Sequence, residues 1–329
     1  MRMTQLLAGF QVSQALYVAA KLGVSTALAE GPMKIEDLAA AISAQPDSLK
    51  RLIRSLAPLG VFYTAGEDTV GVTAFGLTLA AGTPGSVHDA ALYWMETHYL
   101  PFGDLLHTVQ TGEPGAEHHY GQPFFDWIEA DPERAVLQNR AMGSAVSVLR
   151  AGLFDGYRLP GEEGATVADI GGADGTVLAE LLTRDPSRRG IVFDLPSVVQ
   201  GAHDVIERHG LADRVAAVGG DFFESVPKAD IYIVSWILHD WDDESCRRIL
   251  RSIARTASPG ARLVAIEIVV PPGDGPHLSK VGDLVMLGML SGKERTADEY
   301  EALLADAGFS LDRIVSSSSP YSFIEASLR

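Results

Sequence analysis

Cysteine and long apolar runs are the two features that this sequence of 329 residues most clearly lacks. Its single cysteine, Cys246, has no partner for an internal disulfide and offers no cysteine-rich zinc cluster. No uncharged apolar run reaches the 18 or more residues that are typical of a membrane-spanning helix. The first 24 residues also lack the compact apolar segment and small-residue cleavage site of a signal peptide. These absences predict a cytoplasmic protein that does not cross a membrane.

Positive charge is scarce as well. The chain carries 26 lysines and arginines against 43 aspartates and glutamates, which gives a formal net charge of −17. A chain this acidic repels nucleic acid and anionic lipid unless it gathers its basic residues into one patch. We therefore expect no nucleic-acid partner and no membrane partner, whereas a cationic ligand would be well tolerated.

The N-terminal part predicts helices followed by a hairpin. Residues 1–24 have the spacing of an amphipathic helix. In the segment 35–76, apolar residues at helical spacing predict two helices, and Pro46 begins the second. The runs VFYT and TVGVT then flank a turn at AGED, which predicts a hairpin. Two helices and a hairpin are typical of a winged helix.

A winged helix can bind DNA or serve only packing. For DNA binding, the second helix offers Lys50, Arg51 and Arg54. Against it, residues 1–80 contain six basic and six acidic side chains, so the electrostatic footprint of a DNA-binding domain is weak. The composition favours a winged helix that is used for packing.

Beyond a mostly helical, aromatic-rich stretch at 86–160, short apolar runs alternate with amphipathic helices. This alternation predicts an α/β fold, a Rossmann-like doubly wound parallel sheet. We therefore divide the chain into a winged-helix domain (1–85), a helical linker and lid (86–160) and a catalytic domain (161–329). The expected strands cover 166–172, 190–196, 215–223, 229–238 and 261–270.

The stretch DIGGADG (169–175) follows the first of these strands and begins a helix. Glycines there let the backbone approach a ligand closely and turn tightly into the helix. Dinucleotide enzymes use the spacing G-x-G-x-x-G. Here Gly171 and Gly172 are adjacent and Asp169 precedes them within the strand, so the pattern departs from that of a nicotinamide-dependent oxidoreductase.

Acidic residues also follow the next two strands. Asp194 ends the second strand, where it can accept hydrogen bonds from both hydroxyls of a ribose. Asp221 and Phe222 follow the third strand and offer an acceptor for an adenine amine and a ring to pack against the base. Each aspartate alone has an ordinary interpretation as a surface or capping residue. Three of them at the ends of successive strands predict a nucleotide-like site.

The stretch ILHDWDDE places His239 at the end of the fourth strand. A neutral imidazole at that position can accept a proton from a phenol, because its ordinary pKa suits the task. The alternative is a histidine that only caps the strand or the helix expected from Asp242. Glu267, inside the next apolar strand, favours the catalytic interpretation, since a buried carboxylate needs a partner and this histidine is one strand away.

These motifs, together with SGKERT (291–296), resemble the small-molecule O-methyltransferases of plants and of bacterial antibiotic and pigment pathways. The resemblance covers essentially the whole chain, including an N-terminal winged-helix domain that in the family serves dimerisation. It implies a homodimer that uses S-adenosyl-L-methionine, releases S-adenosyl-L-homocysteine and requires no metal. Ser235 departs from the plant enzymes, which carry a lysine there, so we expect only a polar contact with the cofactor.

The resemblance also implies a role for individual residues. His239 matches the catalytic base, and Glu267 and Glu294 match its acidic partners. The expected substrate contacts are Asp240, Met142, Met286 and Met289, of which the methionines also fit plain core positions. The expected cofactor contacts are Asp169, Gly171, Gly172, Asp194, Leu195, Asp221, Phe222 and Ser235.

The function implied is methylation of a hydroxyl on an aromatic small molecule of secondary metabolism. Three alternatives stay open. Some relatives use bound S-adenosylmethionine for hydroxylation or decarboxylation, although the joint presence of the histidine and both glutamates disfavours this. A nicotinamide oxidoreductase is disfavoured by the glycine spacing, and a winged-helix regulator that senses a small molecule is disfavoured by the charge balance.

Overall fold

The computed structural model describes residues 2–83 and 85–329, and the chain forms two compact units, Met1–Leu149 and Arg150–Arg329. The first unit is mainly helical. Its strands are Met33–Lys34 (β1), Phe62–Gly66 (β2) and Thr69–Val72 (β3). Its helices are Arg2–Leu7 (α1), Gly9–Lys21 (α2), Val24–Ala27 (α3), Ile35–Ala41 (α4), Pro46–Leu56 (α5), His88–Tyr93 (α6), Leu105–Thr111 (α7), Gly115–Tyr120 (α8), Phe124–Glu129 (α9) and Pro132–Leu149 (α10). No described helix is long and apolar enough to cross a membrane. The three-part division of the chain stays a prediction.

The winged-helix prediction is confirmed by α4, α5 and the hairpin of β2 and β3. Helix α5 begins at Pro46, and the Gln45 side chain accepts a hydrogen bond of 2.6 Å from the Ser48 amide, which caps the helix. Its buried residues recur at helical spacing. Strand β1 pairs antiparallel with β3 and adds a third strand that the sequence did not predict.

The helix expected over residues 1–24 is broken in the structure. Helix α1 ends at Leu7, and α2 ends before Gly23, whose φ of 72° lies in the left-handed region. Glycine adopts that conformation at no steric cost, so the chain can turn there between α2 and α3. The apolar spacing predicts the helical segments but does not show where the chain turns between them.

The second unit is the predicted α/β domain. Its sheet has the strand order β11-β12-β8-β7-β4-β5-β6. Its helices are Thr176–Thr183 (α11), Ala202–Arg208 (α12), Asp243–Thr256 (α13), Leu278–Met289 (α14) and Ala297–Asp306 (α15). Its strands are Thr166–Ile170 (β4), Arg189–Asp194 (β5), Val215–Gly219 (β6), Ile231–Ser235 (β7), Arg262–Glu267 (β8), Val269–Val270 (β9), Arg295–Thr296 (β10), Phe309–Ser316 (β11) and Ser322–Leu328 (β12).

The five strands expected from the apolar runs are β4 to β8, and they pair in parallel. Almost all residues of the inner strands β4, β7 and β8 are buried, as a doubly wound sheet requires, whereas the edge strand β6 is largely exposed. The last two long strands were not predicted. Strand β12 inserts antiparallel between β8 and β11, a pairing that depends on contacts distant in the sequence.

Candidate active site

The carboxyl ends of β4, β5, β6, β7 and β8 lie along one edge of the sheet, because these strands run in parallel. The pairing of the strands shows which residues lie side by side at that edge: Asp194 pairs with Gly219, and Ser235 pairs with Ile266. The residues predicted to bind a nucleotide and the histidine predicted to act as base therefore share one edge. Open α/β sheets bind their ligands there.

The glycine turn after β4 has no room for side chains. The amides of Gly171 and Gly172 both donate to the Phe193 carbonyl, at 2.8 and 3.2 Å. A Cβ on Gly171 would lie 2.4 Å from Ile237 Cδ1, and Gly171 has a φ of 73°. A Cβ on Gly172 would lie 2.9 Å from the Asp169 carboxyl. The turn thus exposes bare backbone at the sheet edge.

Asp169 lies beneath that turn, fully buried in β4. Neither of its carboxylate oxygens has a hydrogen-bond partner within residues 2–83 and 85–329. Burial, followed by the nearby charge of Asp194, raises the pKa of Asp169 to about 7. A buried acceptor without a donor costs free energy, so this position suits a ligand that brings donors or positive charge. S-adenosylmethionine carries both.

Asp194 faces the same turn from the end of β5. Its Oδ2 accepts from the Ala173 amide at 2.9 Å and its Oδ1 from the Leu195 amide at 2.7 Å. Each carboxylate oxygen keeps a free lone pair, because each makes one hydrogen bond. The two backbone bonds hold the carboxylate in place, and the remaining capacity suits a pair of ligand hydroxyls.

Phe222 follows β6 and approaches the glycine turn. Its Cε1 lies 3.7 Å from where a Cβ of Gly171 would be. Phe222 packs against Phe223 and Trp241 with ring centroids 4.9 and 6.2 Å away, both edge-on. Asp221 caps this turn through its Oδ1, which accepts from the Phe223 amide at 2.8 Å. The aromatic ring and the carboxylate fit an adenine ring.

His239 sits in a 3₁₀ turn, Leu238–Asp240, just beyond β7. Its Nδ1 is 3.2 Å from Glu294 Oε1 and 3.9 Å from Glu267 Oε2. Its Nε2 is 3.4 Å from Asp240 Oδ1. The ring is about one-fifth exposed, so it is largely but not wholly enclosed. Three carboxylates from three parts of the chain therefore surround one imidazole.

The two glutamates have different contacts. Glu294 makes the direct hydrogen bond to the ring. The fully buried Glu267 instead accepts two backbone bonds through Oε1, from the Ile237 amide at 3.1 Å and the Leu238 amide at 2.8 Å. The sequence predicted His239 as the partner of the buried Glu267, whereas in the structure Glu267 holds the backbone of the turn and faces the ring across 3.9 Å.

Electrostatics also correct the expectation of an ordinary histidine. Burial disfavours the imidazolium, but the charges of Asp240, Glu267 and Glu294 outweigh it and raise the pKa of His239 to about 10. Burial in turn raises the pKa of Glu267 to about 7. The free protein thus holds His239 mainly as the imidazolium at neutral pH. The sequence missed this because the carboxylates converge only in the fold.

The remaining predicted residues occupy varied positions. Ser235 ends β7, and its buried Oγ has no hydrogen-bond partner in the described part of the chain. On α14, Met286 is half-buried, but Met289 is a core residue with 2% of its surface exposed. Met289 therefore fits the core interpretation rather than a substrate contact. Met142 lies on α10 in the first unit and is 37% exposed.

Residues that the sequence did not single out complete the site. Trp236 has a φ of 54°, a left-handed conformation that costs a bulky residue about 1–3 kcal/mol. Asp283 on α14 accepts a 2.9 Å bond from the Glu294 amide. Gly292 and Arg295 contact the histidine turn. Both lie in the SGKERT motif, which is the sequence signal that could have identified them. The described residues contain no group of three or more metal-ligating side chains suited to a metal ion.

Comparison with known proteins assigns both halves of the chain. A model of the O-methyltransferase domain matches residues 102–310, and a model of the O-methyltransferase dimerisation domain matches residues 4–82. The chain is 39% identical to a phenazine O-methyltransferase of Lysobacter antibioticus, over 98% of this chain and 94% of that protein. It is 33% identical to an aclacinomycin 10-hydroxylase of Streptomyces purpurascens, over 90% of this chain and 81% of that protein.

A solved structure is similar over almost the whole chain. It is an O-methyltransferase from neocarzinostatin biosynthesis in complex with S-adenosyl-L-homocysteine and 1,4-dihydroxy-2-naphthoic acid. The TM-score is 0.82 at 32% identity, covering 97% of this chain and 96% of that one.

Proposed function

The chain belongs to the S-adenosylmethionine-dependent O-methyltransferases that carry an N-terminal dimerisation domain. From that premise, we propose that it methylates a hydroxyl group on an aromatic small molecule of secondary metabolism, with His239 as the general base. The observation that carries the proposal is the His239–Glu294 pair at the sheet edge where the cofactor residues lie. An imidazole anchored through Nδ1 presents Nε2 to a substrate hydroxyl.

The residues of the sheet edge fit the cofactor by their chemistry. Bound S-adenosylmethionine supplies an electrophilic methyl group. Asp194 would accept hydrogen bonds from the ribose hydroxyls, and Asp221 with Phe222 would hold the adenine. The unpartnered carboxylate of Asp169 would receive donors of the amino-acid part, where Gly171 and Gly172 leave the backbone open.

The proton of the substrate hydroxyl would move to His239 Nε2. With Nδ1–H donated to Glu294, the ring has its free lone pair on Nε2. The three carboxylates stabilise the imidazolium that forms. A base whose pKa is raised to about 10 matches a phenol of ordinary pKa near 10, which favours proton transfer between the two. The cost is that only a small fraction of the base is neutral at pH 7.

The substrate class rests on the relatives. The neocarzinostatin enzyme was crystallised with a dihydroxynaphthoic acid, and the Lysobacter relative is a phenazine O-methyltransferase. Asp240, beside Nε2, would accept a hydrogen bond from a second polar group of such a ring. Met286, half-buried on α14, would contact its apolar part.

A non-methylating reaction is the second candidate, because a relative at 33% identity is a hydroxylase. The two reactions differ in the mass of the product. Incubation with S-adenosylmethionine and 1,4-dihydroxy-2-naphthoic acid, 3-amino-4-hydroxybenzoate or a hydroxyphenazine, followed by mass spectrometry, should give a product heavier by about 14 mass units. A gain of about 16 would establish hydroxylation instead. No product from any of these acceptors would contradict the proposed substrate class.

A further inference from the structure

Two segments distant in sequence meet backbone to backbone at the catalytic histidine. One is the turn Leu238–Asp240, and the other is the segment 291–295 that carries Glu294. A Cβ on Gly292 would lie only 1.9 Å from the His239 carbonyl oxygen and 2.5 Å from the Asp240 carbonyl carbon. Only glycine permits this approach.

Arg295 joins the same two segments by hydrogen bonds. Its Nη1 donates to the Leu238 carbonyl at 2.6 Å, and its Nη2 donates to the Trp241 carbonyl at 2.9 Å. Those two carbonyls bracket His239. The other side of the guanidinium donates to Asp243 Oδ1 at the start of α13, at 3.1 Å from Nε and 2.8 Å from Nη2. The side chain is completely buried.

The shape of this contact needs arginine. A planar guanidinium donates in several fixed directions at once, whereas a lysine ammonium is a compact point charge on a flexible stem. The thiol of Cys246 reaches the same two carbonyls, Leu238 at 3.1 Å and Trp241 at 3.4 Å, but a thiol is a weak donor with a single hydrogen to share between them. Other charged or titratable groups near the histidine or the guanidinium are Asp240, Glu267, Glu294, Lys293 and Tyr300.

We propose that Arg295 is a positioning residue that fixes the His239 turn at hydrogen-bonding distance from Glu294. The residue acts on the backbone of the turn and not on substrate or cofactor. Because Arg295 directly follows Glu294, one short segment supplies both the carboxylate and the clamp. The inference rests on the proposed function only in giving that geometry a catalytic purpose.

The chain offers a matched control in Arg188. This arginine is 4% exposed and clamps backbone carbonyls too, donating to Pro160 at 2.9 Å, Leu159 at 3.2 Å and Gly161 at 3.4 Å. It directly precedes β5, so it lies at the amino edge of the sheet, opposite the site. Arg188→Lys therefore removes a comparable buried clamp without touching the histidine turn.

The test is an NMR titration of the His239 ring in the full chain without ligands, with the resonance assigned through His239→Ala. Arg295→Lys keeps the positive charge, so any change reports position. We expect the pKa of His239 to fall by about one unit toward its ordinary value, because the ring moves away from its carboxylates. Arg188→Lys should lower the melting temperature and leave the pKa of His239 unchanged.

An unchanged pKa of His239 in folded Arg295→Lys would overturn the proposal. If Arg295→Lys does not fold, Asp243→Asn serves as the test variant. It weakens the hydrogen bonds by which Asp243 holds the Arg295 guanidinium. It should produce a smaller shift in the same direction, and Glu244→Gln on the same helix turn should produce none. If the pKa of His239 in Asp243→Asn is the same as in the wild type, the proposal that Arg295 positions the turn is refuted. An active His239→Ala enzyme would instead refute the base, whatever these titrations show.

Discussion

Glu294 Oε1 lies 3.2 Å from His239 Nδ1, although 55 positions separate the two residues in sequence. This bond fixes which ring nitrogen faces the protein and which remains for a substrate. The buried Glu267 holds the turn beneath by two backbone bonds. The proposed base, its proposed orienting carboxylate and the backbone support are therefore separate side chains, and substitutions should separate their effects.

Removal of the base is the most direct experiment. His239→Ala should lower turnover by roughly two to four orders of magnitude, the usual contribution of a positioned proton acceptor. Affinity for S-adenosylmethionine, measured by calorimetry, should stay the same, because the ring is proposed to act on the substrate and the proposed ribose and adenine contacts, Asp194, Asp221 and Phe222, follow other strands. Near-wild-type turnover at neutral pH would reduce His239 to a strand cap and leave catalysis to proximity alone.

The pH profile distinguishes this histidine from an ordinary one. Only the neutral ring accepts a proton, and the carboxylates raise the pKa of His239 to about 10. The wild-type kcat/KM, which reports ionisation of groups in the free enzyme, should therefore keep rising from pH 7 toward pH 10, without a plateau near 7. The alanine variant should follow ionisation of the substrate phenol alone. A wild-type kcat/KM that levels off just above pH 7 would show that the pKa of His239 is not raised.

The two glutamates should respond differently to alanine. Glu267→Ala leaves the amides of Ile237 and Leu238 without an acceptor in a buried place, so it should lower the free energy of unfolding by about 2–4 kcal/mol. Glu294→Ala should lower turnover, since it removes the hydrogen bond to the His239 ring, and should lower the free energy of unfolding less than Glu267→Ala does. Both should cost less turnover than His239→Ala. Urea denaturation and initial rates measure these effects, and equal destabilisation would argue against the division.

The cofactor site can be tested at Asp194. Asp194→Ala should weaken binding of S-adenosylmethionine at least tenfold by calorimetry, because ribose hydroxyls would lose their acceptors in a partly buried place. Asp194→Asn is the milder control, since it keeps one oxygen acceptor. Unchanged affinity of the alanine variant would remove Asp194 from the site.

Asp169 predicts a dependence of stability on pH. Its pKa rises from 3.8 to about 7 on folding, chiefly through burial, so the folded state binds the proton more tightly than the unfolded state. The contribution of Asp169 to stability is then fully present below about pH 4 and is lost as pH rises through about 7. Relative to Asp169→Asn, the wild type should lose about 3 kcal/mol of unfolding free energy between pH 5 and pH 8, at about 1.4 kcal/mol per pKa unit. Urea titrations at pH 5 and 8 compare the two. If the difference in the free energy of unfolding between the two proteins is the same at both pH values, folding does not raise the pKa of Asp169.

The sequence predicted the strands β4 to β8 and the residues at their ends because apolar runs and their flanking residues are local signals. It did not predict β11 and β12, whose antiparallel insertion depends on pairing across the sheet. The raised pKa of His239 was also out of reach, since it needs carboxylates from three elements. Met286 and Met289 lie three residues apart on α14, and the sequence does not distinguish them. Only the packing of the fold shows that Met289 is a buried core residue.

Assembly of the first unit gives the last prediction. Helices α1 and α2 expose large apolar side chains, with Met3 and Leu6 each 67%, Leu7 72% and Phe10 54% exposed. So much apolar surface within a short stretch marks a protein interface, and this stretch lies in the segment matched by the dimerisation model. We expect light scattering to report a homodimer at micromolar concentration.

Leu7→Lys combined with Phe10→Lys should give a folded monomer, because two charges of the same sign, which cannot pair with each other, would be buried in that interface. Val218→Lys, on the exposed edge strand β6 of the other unit, is the control and should stay dimeric. A monomeric wild type would show that these side chains serve something other than dimerisation. A double variant that remains dimeric would place the interface on another surface, and the exposed face of α1 and α2 would then need a different occupant.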